Sequence, residues 1–207
     1  MKRLAIKNIN TPEEYDRIYQ ERKKYPDEFD IKRWKMLIDK FKGGSLIDLG
    51  TLDSFVPHYA LMTYPNAEIW GLDFAKKAIQ ELKKKYPKVK YIYGGLYRTG
   101  LKDEYFDYVV AGEVIEHLEY PEKFLEEAFR ILKPGGVLAL STPLEETEAG
   151  EVDKERHIWS FSKEDLYTLL KPYGEVTMKV LRSKYFPVYK YHFKNIICYV
   201  KNGRFYP

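Results

Sequence analysis

Cysteine, long apolar runs and a surplus of one charge are what this sequence has least of. A single cysteine, Cys198 in the apolar run NIICYV, excludes a disulfide framework and reads as a buried thiol packing as a small hydrophobe. No window approaches the ~18 uninterrupted apolar residues of a membrane-crossing helix, and the basic opening MKRLAIKNINTPEEY holds no apolar stretch of secretory length. The expectation is a cytoplasmic chain with no membrane role. Lys and Arg total 35 against 31 Asp and Glu, and a formal net charge of +4 is too small to imply nucleic-acid binding by itself. Internal repeats and low-complexity linkers are missing too, so the 207 residues are read as one domain, large enough for a core with two sides.

What is present is a regular alternation of helices and strands. Thr11-Pro12-Glu13-Glu14 opens a helix with a threonine N-cap, a proline in the first turn and a glutamate three residues after the cap. A second helix is predicted over about Phe29 to Phe41, where Ile31, Trp34, Leu37, Ile38 and Phe41 recur at helical spacing before Gly43-Gly44. Residues 1–44 are therefore expected to form a helical cap. From Ser45 onward, SLIDLG, AEIWGLD, VKYIYG, YFDYVVAG and GVLALST read as five strands separated by helices, including Pro121 to Leu132. Ser162, with Asp165 three residues on, starts another helix reaching about Leu170. Two strand-like runs follow, Gly174 to Leu181 and Tyr191 to Val200, joined through Pro187. Nearly continuous apolar strands alternating with helices predict a doubly wound, Rossmann-like α/β fold. Its mostly parallel sheet has seven strands, an antiparallel one near the C-terminal end, and helices on both faces.

Ligands of such a sheet bind beyond the carboxyl ends of its strands, which directs attention to the residues just after each strand. Asp73 ends the second strand, where a carboxylate can accept from two adjacent ribose hydroxyls or cap the helix starting near Ala75. After the fourth strand stands Glu113-Val114-Ile115-Glu116-His117. If this segment is a helical turn, positions i, i+3 and i+4 bring two carboxylates and an imidazole to one face. Neighbouring carboxylates repel unless a cation or proton intervenes, and mixed oxygen and nitrogen donors suit Mg²⁺, Mn²⁺ or Zn²⁺. His157 is a fourth candidate donor. The alternative without a metal keeps Glu113 as a cofactor-lining residue, Glu116 as a cap and His117 as a general base or a structural histidine.

The succession LIDLG, IWGLD, FDYVVAGEVIEHLEYPEKFLEEAFRILKPGGVLALSTP and HIWSFSKEDL resembles the class I S-adenosylmethionine-dependent methyltransferases, over roughly Ser45 to Leu170. The Glu-x-x-Glu-His subgroup, similar to methyltransferase types 11 and 23, is the nearest in pattern. The resemblance implies S-adenosyl-L-methionine beside Asp48, Gly50, Thr51, Asp73, Phe74 and Glu113, and an acceptor near His117 and Glu113 as catalytic residues. It also implies a cofactor-binding core over residues 45–143 and an acceptor-side helix with terminal antiparallel strands over 144–207. The metal reading, with Glu113, Glu116, His117 and His157 as ligands, is similar to two metal-dependent groups, the small-RNA 3′-terminal 2′-O-methyltransferases and the ubiquinone-type O-methyltransferases. One departure stands out: the family's first loop usually runs Asp-x-Gly-x-Gly-x-Gly, and here Leu52 and Ser54 hold the second and third glycine positions while Asp53 adds a charge. A second is Gly95, where family members often place an acid near the adenine amine. The expected activity is methyl transfer to an oxygen or nitrogen, with a small-molecule acceptor first and an RNA 3′-terminal ribose second. The competing reading is a methyltransferase-fold binding or regulatory protein with weak or lost cofactor use. The sequence names no oligomeric state.

Overall fold

The computed structural model describes residues 1–5, 8–21, 27–52, 54–144, 156–182 and 194–203. A two-residue strand β1 (Lys2–Arg3) precedes α1 (Pro12–Glu21), whose Thr11 hydroxyl accepts the Glu14 N–H at 3.2 Å, as the capping pattern predicts. α2 (Glu28–Leu37) is capped by Asp27, which accepts from Asp30 N–H. It stops short of the expected end at Phe41. Asp39 N–H turns to Met36 O and Phe41 N–H to Ile38 O, so tight turns carry the chain onward while Ile38 and Phe41 stay buried. The apolar spacing reported burial there, and burial does not need a regular helix.

The main sheet is built in turn from β2 (Ser45–Leu49), α3 (Val56–Thr63), β3 (Glu68–Asp73), α4 (Lys76–Lys85) and β4 (Lys90–Tyr93). It continues through β5 (Phe106–Gly112), a 3₁₀ turn at Ile115–His117, α5 (Pro121–Ile131), β6 (Leu132–Pro143) and a second two-residue strand, β7 (Trp159–Ser160). α6 (Lys163–Leu170), β8 (Gly174–Arg182) and β9 (Lys194–Asn202) complete the described chain. α6 begins with a full capping box between Ser162 and Asp165. The seven-stranded order is β4-β3-β2-β5-β6-β9-β8, with β2, β3, β4, β5 and β6 paired in parallel and β9 antiparallel to both neighbours. The fold is thus the doubly wound α/β sheet expected, with one reversed strand near its C-terminal end. The connection containing Pro187, and Tyr191 at the expected start of the last strand, lie outside the described residues.

Period-two alternation divides the core between the sheet's two faces. Ile47, Val109 and Ala111 pack with Phe124, Leu125 and Phe129 of α5. Their neighbours Leu46, Tyr108 and Val110 pack with Leu37, Phe41 and Ile79 on the opposite side. The strand order reverses between β2 and β5, which opens a crevice at their carboxyl ends.

A second sheet, not anticipated from the sequence, pairs β1 with β7 antiparallel. Leu4 N–H extends it by donating to Ile158 O at 2.8 Å. The N-terminus is thereby fastened to the segment that carries His157.

Candidate active site

The first half of the crevice lies at the ends of β2 and β3. Gly50 has φ of 77°, and a Cβ there would stand 2.6 Å from Val114 Cγ2, so conformation and packing both demand glycine. Asp48 is almost fully buried. Burial pushes its carboxyl up to about 7, helped by neighbouring Asp73 and opposed by the Ser54 and Thr51 hydroxyls and by Arg33. Among the described residues Asp48 Oδ2 has no hydrogen-bond partner, and the Thr51 hydroxyl near it is buried. Buried groups of this kind at strand ends are unfinished without a ligand or water.

Asp73 is more fully engaged. Its Oδ2 accepts Leu52 N–H at 2.9 Å and its Oδ1 accepts Ala75 N–H at 2.8 Å, so it ties the first loop to the start of α4. The carboxylate ends β3 at the mouth of the crevice. Leu52, at the second glycine position, adopts φ of 26°, a backbone that disfavours a branched side chain by about 1 kcal/mol. Its side chain packs with Ile18 of α1 and with Ala75 and Ala78 at the head of α4. Asp53 lies outside the described residues. Gly95 faces open space, with no atom within 4 Å of where a Cβ would be.

The second half lies beyond β5. The helical spacing drawn from the sequence does not hold at its first member, because Glu113 has φ of 57° and the 3₁₀ turn starts only at Ile115. Glu113 Oε1 accepts from Ser141 Oγ at 2.8 Å and from Asn195 Nδ2 at 2.6 Å, with Arg33 Nη1 at 3.6 Å. Arg33 is itself buried and pairs with Asp30 at 2.9 Å. The carboxylate is therefore drawn toward α2, β6 and β9, away from the other proposed metal ligands.

Glu116, His117 and His157 do converge. One carboxylate oxygen of Glu116 and one ring nitrogen from each histidine lie within 4.8 Å of one another, and Glu113 is outside this group. Glu116 is 1% exposed, and its Oε2 accepts from Thr142 Oγ1 at 2.9 Å. Its Oε1 is buried without a hydrogen bond, 4.0 Å from His117 Nε2. Burial, with the charge of Glu113, pushes the Glu116 carboxyl up to about 8, while His157 works against the rise. His117 Nδ1 is 3.0 Å from the Arg156 carbonyl oxygen. A carbonyl only accepts, so Nδ1 carries the proton in that contact.

Tyr15 joins the two halves, its ring centroid 5.1 Å from that of Phe74 and 6.1 Å from that of His117. Sequence reasoning missed Tyr15, Arg33, Ser141, Thr142 and Asn195. Only Arg33 carried a signal, because it falls one helical turn before buried Leu37 and so shares its inward face. The others approach from elements distant in sequence.

A parallel sheet of this order, with acids at the ends of its first two strands and an acid–histidine cluster beyond the fourth, has the architecture of a class I methyltransferase. Residues 47–140 match the family described as "Methyltransferase domain". A protein of Mycolicibacterium smegmatis named as a probable S-adenosylmethionine-dependent methyltransferase is 41% identical over 73 residues, which is 35% of this chain and 28% of that one. A demethylmenaquinone methyltransferase of a Geobacillus species is 32% identical over 114 residues, covering 52% of this chain and 48% of its own. The chain thus spans less than half the length of these curated relatives. Among solved structures, the complex between the Haloferax volcanii Trm112 methyltransferase activator and the methyltransferase-like protein solved with it matches over 96% of this chain and 100% of that one. The TM-score is 0.78 at 17% identity, a likeness of fold. The match to a methyltransferase domain extends over residues 47–140, just under half of the chain.

Proposed function

We propose that the chain methylates an oxygen or nitrogen of a small molecule, using S-adenosyl-L-methionine and a divalent cation, Mg²⁺, Mn²⁺ or Zn²⁺, held by Glu116, His117 and His157. The observation that carries this reading is the Glu116 carboxyl, buried with Oε1 lacking a hydrogen bond among the described residues and gathered with two imidazoles. A carboxyl in that position needs a proton or a cation.

The residues fit both groups. Asp73 ends β3 where ribose hydroxyls would be met, Asp48 has a buried oxygen without a partner among the described residues beside buried Thr51, Gly50 permits close backbone approach and Phe74 offers a ring. Glu113, pinned by Ser141 and Asn195, is assigned to the cofactor side and not to the cation. When bound, the cofactor supplies an electrophilic sulfonium methyl, and the cation lowers the pKa of an acceptor hydroxyl. The chain's own groups do the rest. The Arg156 carbonyl orients His117 so that Nε2 faces the acceptor side, where it serves as cation ligand or, for an amine acceptor, takes the proton. Glu116 balances the positive charge, Thr142 fixes its second oxygen, and Tyr15 excludes water above both halves.

Calorimetry with S-adenosylmethionine and S-adenosylhomocysteine tests the cofactor; no binding up to about 1 mM overturns the enzyme reading in favour of a binding or regulatory protein. For the cation, Mg²⁺, Mn²⁺ and Zn²⁺ are expected to stabilise the chain, and Glu116→Ala with His157→Ala to abolish that gain. An RNA 3′-terminal ribose is the competing acceptor. Transfer that depends on intact terminal 2′,3′ hydroxyls and survives moderate salt would favour it over a small molecule.

A further inference from the structure

The first helix, α1, is fastened to both halves of the crevice through contacts of different kinds. Before it, Asn10 Nδ2 donates to His117 O at 3.1 Å and to Arg156 O at 2.9 Å. On it, Glu14 pairs with Arg156 at 3.0 Å, and Tyr15 donates to Asn10 Oδ1 at 3.3 Å while its ring touches those of Phe74 and His117. Asp16 Oδ1 accepts Lys77 N–H at 2.8 Å, supplying from α1 the side-chain cap that α4 lacks at Ala75. Ile18, the buried residue of the helix, packs against Leu52.

Leu52 is the unusual partner. A glycine in its place would keep the loop's positive φ without strain but would present nothing to α1. The leucine accepts the strain, gives its N–H to Asp73 Oδ2 and gives its side chain to Ile18. The carboxylate that ends β3 at the crevice thus holds, one hydrogen bond away, a side chain of the apolar cluster, shared with Ala75 and Ala78, against which α1 packs.

We propose that α1 is the closing element of the crevice and that Leu52, through Ile18, is its latch: a positioning residue that links occupancy at Asp73 to the placement of Tyr15 over Phe74 and His117. This rests on the methyltransferase reading above. Binding at Asp73 orders the first loop, the ordered loop holds Leu52, and Leu52 holds α1 closed. By reciprocity, loosening α1 weakens retention of the cofactor product. The missing second glycine is then the mark of a loop whose side chain has been given to the closing helix.

Hydrogen exchange on the full chain, with and without S-adenosylhomocysteine, tests this together with the ligand's dissociation rate. In the wild type, the ligand is expected to slow exchange over residues 12–21 by about tenfold. In Ile18→Ala and in Leu52→Gly that protection is lost and dissociation quickens by about tenfold, while the amides of β2, β5 and β6 exchange as before. Ile18→Val restores most of both effects, which a generally weakened fold would not do. If the wild type binds no S-adenosylhomocysteine, the cofactor reading fails and takes the latch with it. If it binds but α1 exchange is indifferent to it, or Ile18→Ala releases ligand at the wild-type rate with an intact core, the latch alone is overturned.

Discussion

The two halves of the crevice bury acids in opposite ways. At the ends of β2 and β3, Asp73 is satisfied by backbone N–H groups of Leu52 and Ala75, donors within a loop's reach of it on the same sheet edge. Beyond β5, Glu113 is satisfied by Ser141, Asn195 and Arg33, side chains from β6, β9 and α2, and Glu116 is left with one oxygen unmet. At Asp73 the first half is a backbone construction, so a leucine can stand at position 52 of its loop even though Gly50 admits no other residue. The second is a side-chain construction, and it depends on every contributor.

The largest expected effect follows from that dependence. Arg33 is buried, and Arg33→Met takes its cation from Asp30 and from half-buried Glu113 alike; a cost of about 3 kcal/mol in denaturant unfolding is expected, with Glu113→Gln in the same chain recovering part of it. Cofactor-product affinity measured under native conditions should change little, and a large loss there would show that the two halves are not separable. Gly50→Ala strikes the joint between them, where Val114 meets the first loop, and both the steric clash and the positive φ oppose it. A loss of about 3 kcal/mol is expected, together with impaired ligand binding.

A smaller effect concerns pH. The folded chain holds the Glu116 proton to about 8, whereas the ordinary value is 4.5, so its contribution to stability is complete below about 4.5 and is lost as pH rises toward 8. Asp48 acts in the same direction up to about 7. Unfolding measured between pH 7 and 8 should show a fall of about 1 kcal/mol over that unit, most of which Glu116→Gln removes. A bound divalent cation should also remove it, since it replaces the proton. The smallest effect lies outside both halves. Ser162→Ala deletes the capping box of α6 and should cost about 1 kcal/mol without altering ligand binding.

Much of the fold was legible because its signals are local. Five parallel strands announced themselves as short apolar runs, and Thr11 and Ser162 marked helix starts that their hydroxyls do cap. The end of α2 was not legible, since Ile38 and Phe41 are buried whether or not the helix continues. In the site, Asp73 could be placed from its position after a strand, and Glu116 with His117 from their adjacency. Glu113 could not. Its spacing suggested one face of a helix, but contacts from Ser141 and Asn195 hold it in a left-handed turn and aim it elsewhere.

The sequence by itself determined the layered α/β architecture, the likeness of residues 47–140 to a methyltransferase domain and the strand ends where acids gather, because periodicity and capping act over a few residues. Tertiary structure alone decided which acids share a site. It brought His157 to Glu116, whose carbonyl accepts from the adjoining Ile158 N–H, gave Glu113 to Arg33, and turned Leu52 from an obstacle in a glycine loop into part of the cluster that receives α1. Those outcomes depend on side chains that are far apart along the chain and compete for the same buried polar atoms, and only the folded packing settles that competition.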